Sequence, residues 1–422
     1  MSIVDFPKHS PQVIRVSRCR LCLSKDLDFL FSLKPTPPAE WYFPEAYRHV
    51  AKECFPLDLF LCRNCFHVQL VNVLDSNTLF ANYFYQSQTS PGLSSHFMNY
   101  ASQVSNKLNL GLDSSILDVG SNDGTLLSYF SELGFRVAGI EPSLGLVSEC
   151  NRKGITTYHG FLDSYTVQQV ISERSLIDLV TANNVFAHND DLRGMAMCVN
   201  NLLKPGGFFV FEVSSLLHTM KRSVFDYIYH EHLSYHSLIS LQPFLREFDL
   251  NIFDVEFIET KGGSYRVYAQ KGNHSVQMSQ SLKTQILIEE SAGLTNSNFY
   301  KFEMGKIRHE KERLLSYLQN GDAGHNLVGY GASATTTTLT YEFDLVDKMS
   351  YLVDDNPIRH SCYLPGSNLQ VHAPEYLESN RPTSVILLAW RFSDLIIPKI
   401  KAMNLPNLKI IKPLPTFEII TS

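Results

Sequence analysis

Hydrophobic positions along this chain fall into short continuous runs separated by amphipathic stretches. Ile116–Val119, Arg136–Ile140, Leu176–Ala182 and Phe208–Val213 read as buried strands, and the stretches between them read as helices. Strands alternating with helices imply a parallel, doubly wound sheet whose ligands sit at its carboxyl edge. Further on, Tyr300, Met304, Ile307, Leu314 and Leu318 recur at helical spacing between Asn296 and Leu318, and Gly321 supplies a C-cap, which predicts a bridging helix. Asn326–Tyr330, Tyr351–Pro357 and Ser384–Trp390 then predict strands of a second Rossmann-like sheet. The stretch Leu23–Leu61, with Pro35, Pro37, Pro38 and Trp41, reads as an irregular loop.

Length divides this pattern into domains. At 422 residues the chain exceeds what one hydrophobic core usually serves. The expected fold is therefore α/β in three parts: a metal-binding module over 1–80, a cofactor-binding Rossmann-like core over 81–273, and a bridging helix with a second Rossmann-like domain over 274–422. With 44% hydrophobic and 18% charged residues the balance is that of a globular protein. A formal charge of −6 offers no field for a nucleic-acid backbone, so no nucleic-acid partner is expected. The longest apolar stretch, around Val385–Trp390, is far short of the roughly 20 residues of a spanning helix. Met1–Pro11 lacks the basic and apolar regions of a signal peptide, so the expected setting is cytoplasmic, without a membrane partner.

Four of the eight cysteines form two C-x2-C pairs, Cys19 with Cys22 and Cys62 with Cys65. Four thiolates on two knuckles suit a tetrahedral zinc ion, and such a closed site is structural. The run Asp118-Val119-Gly120-Ser121-Asn122-Asp123-Gly124 follows a strand and opens a helix, the form of a cofactor-binding first βα unit. A strict G-x-G-x-x-G is missing, and the next strand ends at Glu141, where a carboxylate can take both ribose hydroxyls. An S-adenosylmethionine site has no pyrophosphate to cradle. Asp118, Gly120, Asn122, Asp123 and Glu141 therefore fit that cofactor better than NAD, with Asn183 in the loop that closes the crevice.

The segment Tyr229-His230-Glu231-His232 concentrates acid–base chemistry in four positions. A histidine suits proton removal near neutrality, a neighbouring carboxylate can orient it, and a tyrosine hydroxyl can donate to a developing enolate oxygen. The zinc-protease H-E-x-x-H is absent because residue 234 is serine. The Lys261-to-Arg266 run, with Lys261 and Gly263, is either a phosphate- or sugar-holding turn or an ordinary β-turn. The Gly329-Tyr330-Gly331-Ala332 turn, with Tyr330 and Ala332, either receives a nucleotide diphosphate or is structural.

Taken together, these motifs resemble the nucleotide-sugar C-methyltransferases, whose best understood members methylate C-3' of dTDP-4-keto deoxysugars. The resemblance covers all three parts of the chain: Cys19, Cys22, Cys62 and Cys65 correspond to that family's zinc ligands, Asp118–Gly124 to its S-adenosylmethionine loop and Tyr229–His232 to its catalytic motif. It implies that His232 is the general base, that Glu231 orients or polarises the site, that Tyr229 and His188 stabilise an enolate oxygen, and that Tyr83 positions the sugar. The implied partner is a nucleotide-linked 4-keto sugar and the implied outcome a branched-chain sugar. One departure stands out: Thr335-Thr336-Thr337-Thr338 replaces a Lys-Gly-Asn-containing run. N- or O-methylation of a related sugar, or a zinc-containing adaptor without activity, are the competing readings.

Overall fold

In the computed structural model, residues 11–75, 79, 92–272, 276–321 and 323–421 are described. The central sheet has seven strands, ordered in space Leu250–Ile258, Ser264–Lys271, Leu203–Ser214, Ile177–Asn183, Ser115–Val119, Arg136–Glu141 and Thr157–His159. The last five are mutually parallel, and the first two form an antiparallel hairpin on one edge. The hairpin's turn is Thr260–Gly262, where Lys261 takes φ 55° and Gly262 φ 84°. The expected parallel sheet thus carries an antiparallel edge, and the Lys261 run is the turn that makes it.

Helices cover both faces. On one, Phe97, Tyr100 and Val104 of helix Leu93–Lys107 pack with Phe130 over Ile116, Leu179 and Val210. On the other, Met195 and Val199 of helix Leu192–Leu202 and Leu241 and Leu245 of helix Leu238–Arg246 pack over Val180, Phe209 and Phe211.

The amino-terminal region departs from the irregular loop expected over Leu23–Leu61. It holds two strands, Leu27–Thr36 and Phe55–Cys62, which pair antiparallel. The reason is a period-two pattern: Phe55, Leu57, Leu59 and Leu61 are buried while Pro56, Asp58 and Phe60 are less so, the signature of a half-buried strand. The stretch between the strands holds a short strand, Phe43–Pro44, paired with Cys362–Tyr363, and two 3-10 turns, Glu45–Tyr47 and Val50–Lys52. Val68–Leu70 adds a third strand and Ser234–Tyr235 a fourth, although Ser234–Tyr235 lies some 165 residues further along the chain.

The carboxy-terminal sheet has six strands, five parallel and Glu418–Thr421 antiparallel on the edge. Helix Ser297–Gln319 buries Tyr300, Met304, Ile307 and Leu314 as the spacing predicted. Those residues share one core with Leu30 and Leu33 of the amino-terminal sheet and with Val328, Leu352 and Ile386 of the carboxy-terminal one. Among the described residues no helix is long and apolar enough to cross a membrane.

Polar contacts lock the three parts where they meet. Asp226 is fully buried; its carboxylate accepts two hydrogen bonds from Arg391 Nη1, at 2.8 Å each, and one from the Trp390 indole at 3.0 Å. Glu40 pairs with Arg359 and accepts from the Ala334 N–H at 3.3 Å. The four threonines are all buried, with Thr337 donating to Ala39 O at 2.8 Å and Thr338 to Ile228 O at 3.1 Å. Removing one partner of a buried ion pair leaves the other charge uncompensated, which costs about 3–5 kcal/mol. Asp226→Ala is expected to lower unfolding free energy by about that amount in urea titration.

Candidate active site and metal centre

Two turns build the metal centre. Leu23 N–H donates to Cys19 O at 3.0 Å and Phe66 N–H to Cys62 O at 2.9 Å, and Leu23 and Phe66 both adopt positive φ, so each C-x2-C pair closes into the same knuckle. The four sulfur atoms lie within 4.8 Å of one another, with Cys19 to Cys65 and Cys22 to Cys62 both 3.5 Å. Zinc–sulfur bonds of about 2.3 Å in a tetrahedron put sulfurs roughly 3.8 Å apart, so the four thiols fit a closed zinc site.

The cofactor crevice opens at the carboxyl ends of the parallel strands. Gly120 has φ +68°, and a Cβ there would lie 2.5 Å from Val185 Cγ2, so the turn admits only glycine. Asn122, also at positive φ, donates its N–H to Glu141 Oε2 at 3.0 Å, and Ser143 N–H donates to Oε1 at 2.9 Å. One backbone bond on each oxygen fixes the carboxylate and leaves further lone pairs for ribose hydroxyls. Asp118 is buried and accepts from Thr181 Oγ1 at 2.6 Å; burial raises its carboxyl to about 7. Asn183 Oδ1 accepts from Glu212 N at 3.1 Å, while its Nδ2 is a buried donor without a protein partner. A buried donor without a protein partner beside a glycine cradle fits a site whose missing acceptor is the bound cofactor. Asp123 instead turns inward, accepting from Thr125 N and Oγ1 at 3.2 and 2.6 Å.

Across the same cavity, of about 2070 Å³, stands the histidine cluster. His232 Nδ1 lies 2.8 Å from Tyr227 O, which can only accept, so Nδ1 carries the proton and Nε2 presents a lone pair. The Tyr229 hydroxyl donates to that lone pair at 3.0 Å. His188 lies with its ring centroid 4.8 Å from that of His232. Burial, reinforced by His188 and Lys261, pushes His232 well below the ordinary histidine range, and burial brings His188 down to about 3. Both rings are therefore neutral near pH 7. Glu231 faces the Ala39 and Glu40 amides; burial and then the Glu40 carboxylate raise it to about 7. Lys261 also lines the cavity, and burial lowers its ammonium to about 8.

Comparison with known proteins bears on this arrangement over nearly its whole length. A putative zinc binding domain matches residues 19–80, a methyltransferase domain 93–255 and a C-methyltransferase C-terminal domain 259–415. Together the three matches span most of the chain and describe an S-adenosylmethionine-dependent C-methyltransferase with an amino-terminal zinc-binding domain. The chain is similar to the C-methyltransferase NovU of Streptomyces niveus, at 26% identity over 409 residues that cover 96% of this chain and 97% of that protein. Among solved structures, magnesium protoporphyrin IX methyltransferase (ChlM) from Synechocystis PCC 6803 with bound SAH is 16% identical, covers 43% of this chain and 84% of that chain, and has a TM-score of 0.35. An S-adenosylmethionine-dependent methyltransferase from Clostridium acetobutylicum ATCC 824 is 17% identical over 42% of this chain and 92% of that one, with a TM-score of 0.35.

In this S-adenosylmethionine-dependent C-methyltransferase the cavity brings together Asp118, Gly120, Asn122, Glu141, Asn183, His188, Tyr229, Glu231, His232 and Lys261. Gly263 sits just behind the hairpin turn, its carbonyl accepting from Ser215 N–H at 3.0 Å. Tyr330 and Ala332 do not reach the wall. The Tyr330 hydroxyl donates to Asp355 Oδ1 at 3.0 Å and the Ala332 N–H to Asp354 Oδ2 at 2.6 Å, so that turn is satisfied by the chain's own carboxylates. Ser333, Ala334 and Thr335, the residues after it, line the cavity instead. Tyr83 lies outside the described residues. Arg391, Arg222 and Lys221 also line the cavity, and the sequence offers no local signal for them, because a single arginine after Trp390 and an adjacent Lys-Arg pair at a helix end both read as ordinary solvated surface. The protein is expected to hold one zinc ion per chain by metal analysis. Gly120→Ala is expected to weaken S-adenosylmethionine binding at least about tenfold in calorimetry, since the added methyl must displace Val185 from the cofactor loop.

Proposed function

We propose that this C-methyltransferase methylates the carbon beside the keto group of a nucleotide-linked 4-keto sugar, at C-3', in the formation of a branched-chain sugar. One observation carries the reading: a buried, neutral imidazole whose unprotonated Nε2 opens on the same cavity as the cofactor loop, with hydrogen-bonding groups beside it. Methylation at a heteroatom needs no such base at carbon. The match to a C-methyltransferase C-terminal domain likewise sets aside both heteroatom transfer and a zinc adaptor without activity.

His232 Nε2 takes the proton from the carbon next to the ketone, and the electrons of the broken C–H bond move onto the ketone oxygen. The Tyr227 carbonyl, already bonded to Nδ1–H at 2.8 Å, steadies the imidazolium that forms. Tyr229 and His188 face the enolate oxygen; as charge develops there, the tyrosine hydroxyl shifts its hydrogen bond from Nε2 to that oxygen, which frees the Nε2 lone pair to accept the carbon proton. Glu231 holds the Ala39–Glu40 backbone against this segment, and Tyr83 is assigned to the sugar. S-adenosylmethionine, which the Gly120–Asn122 turn and Glu141 would hold, would supply a methyl made electrophilic by its sulfonium; the enolate carbon would take that methyl as the S–CH3 bond breaks, the C=O bond re-forms and S-adenosylhomocysteine leaves. Lys221, Arg222, Lys261 and Arg391 gather near the hairpin turn, where Arg222 Nη1 donates to Gly262 O at 3.4 Å and Arg391 Nη2 donates to Thr335 Oγ1 at 3.2 Å. Cations beside hydroxyls and the start of helix Ala334–Glu342 suit the anionic diphosphate of a nucleotide sugar.

Nucleotide 4-keto sugars incubated with methyl-labelled S-adenosylmethionine should give a product whose NMR spectrum places the label on carbon next to the carbonyl; a label on oxygen or nitrogen overturns the assignment. His232→Ala should lower turnover by about 10²- to 10⁴-fold and leave cofactor affinity within about threefold. The pH profile has two expected limbs. Because the folded-state His232 titrates below an ordinary histidine, kcat/KM should hold below pH 6.5 and fall only at lower pH. Because the Lys261 cation is present below about 8 and lost above it, kcat/KM should fall as pH rises through that value, and Lys261→Arg should move this limb upward.

A further inference from the structure

The metal knuckle and the histidine cluster are joined by one side chain. Arg20 lies between the ligands Cys19 and Cys22 and is 6% exposed, and its guanidinium turns away from the zinc site toward the active-site loops. Its Nη1 donates to Leu70 O at 2.6 Å and to Leu233 O at 3.3 Å, and its Nε donates to Asp190 Oδ1 at 2.8 Å. Leu233 follows His232 directly, and Asp190 is two residues after His188.

The loops that Arg20 reaches are themselves joined at this point. Leu233 and Ser234 N–H both donate to Ala187 O, at 2.8 and 3.2 Å, and Leu70 N–H donates to Leu233 O at 3.0 Å. The knuckle is in turn held square to them, because Arg20 N–H donates to Gln69 Oε1 and Gln69 Nε2 to Arg18 O, both at 2.9 Å. A planar guanidinium that satisfies a carbonyl of one loop and a carboxylate of the other fixes both distances at once. Asp190 also lines the cavity, so this clamp closes its wall.

We propose that Arg20 is a positioning residue that uses the rigid zinc knuckle as an anchor to set the spacing between His188 and His232. The zinc site then supports the chemistry as well as the fold, because the metal holds the backbone from which Arg20 projects. The inference rests on the proposed roles of the two histidines, and its test includes a readout that does not need turnover. A displacement of about 1 Å at a reacting group can cost on the order of 10² in rate.

Four chains are compared: wild type, Arg20→Gln, Arg20→Lys and Asp190→Asn, the last lying on the other side of the clamp from the metal knuckle. Each is assayed for zinc content, cofactor affinity, kcat and KM, and the histidine rings are followed by 15N NMR. The expected result is one zinc per chain and unchanged cofactor affinity throughout, kcat lowered by about 10²-fold in Arg20→Gln and less in Asp190→Asn, and altered ring 15N signals of His188 and His232 in both variants. Arg20→Lys, which keeps the charge but loses the fork, should recover only part of kcat. Wild-type kcat with unmoved histidine signals in Arg20→Gln overturns the proposal. If that variant loses its zinc, Asp190→Asn decides, and unmoved histidine signals there overturn it. An inactive wild type whose histidine signals still move in the variants counts against the assigned reaction and in favour of the clamp.

Discussion

The architecture depends on where the segment after Tyr229 finds its hydrogen bonds. Its strand, Ser234–Tyr235, pairs with Val68–Leu70 of the zinc-binding sheet rather than with the methyltransferase sheet that precedes it in the chain. A buried backbone must satisfy its polar groups, and this one does so by joining a different part of the molecule. The consequence is that His232 is held on one side by the amino-terminal module and on the other by the loop carrying His188. The histidines stay neutral because burial disfavours their charged forms.

The same constraint explains how the carboxy-terminal part contributes. Its Gly-Tyr-Gly-Ala turn has the form of a nucleotide site, yet its Ala332 amide is engaged by Asp354, its Gly331 amide by Val353 O and its tyrosine by Asp355. What it presents to the cavity is the start of the next helix and Arg391, whose guanidinium is held by buried Asp226. The threonines that depart from the family pattern act in this joint. Thr337 and Thr338 bond the carbonyls of Ala39 and Ile228, so short hydroxyl side chains stitch the carboxy-terminal helix to the zinc module and to the residue before Tyr229.

Much of the site was legible from the chain alone, for reasons that are local. Cysteines paired across two intervening residues define a metal knuckle whatever surrounds them, and a strand ending in Asp-Val-Gly followed by a second strand ending in Glu141 places a carboxylate at the carboxyl edge of the sheet by connectivity. The amino-terminal strands were also legible in principle, because Phe55, Leu57, Leu59 and Leu61 alternate, but the prolines nearby concealed that period. Arg20, Glu40, Asp226, Arg359 and Arg391 gave no such sign, since a charged residue becomes buried only when a partner distant in sequence arrives to pair with it.

By itself the sequence determined the zinc ligands, the two α/β units, the cofactor loop and the concentration of acid–base groups at 229–232. These follow from spacing and periodicity over a few residues, which backbone geometry translates directly into structure. Only the tertiary structure decided the tautomer of His232, the neutrality of both histidines, the clamp from Arg20 and the closure of one cavity by all three parts. The clamp depends on Arg20 contacts that span 170 and 213 residues, the neutrality on desolvation, and the tautomer on a turn that folds His232 back onto Tyr227 O, and neither desolvation nor such folding is written in any local pattern.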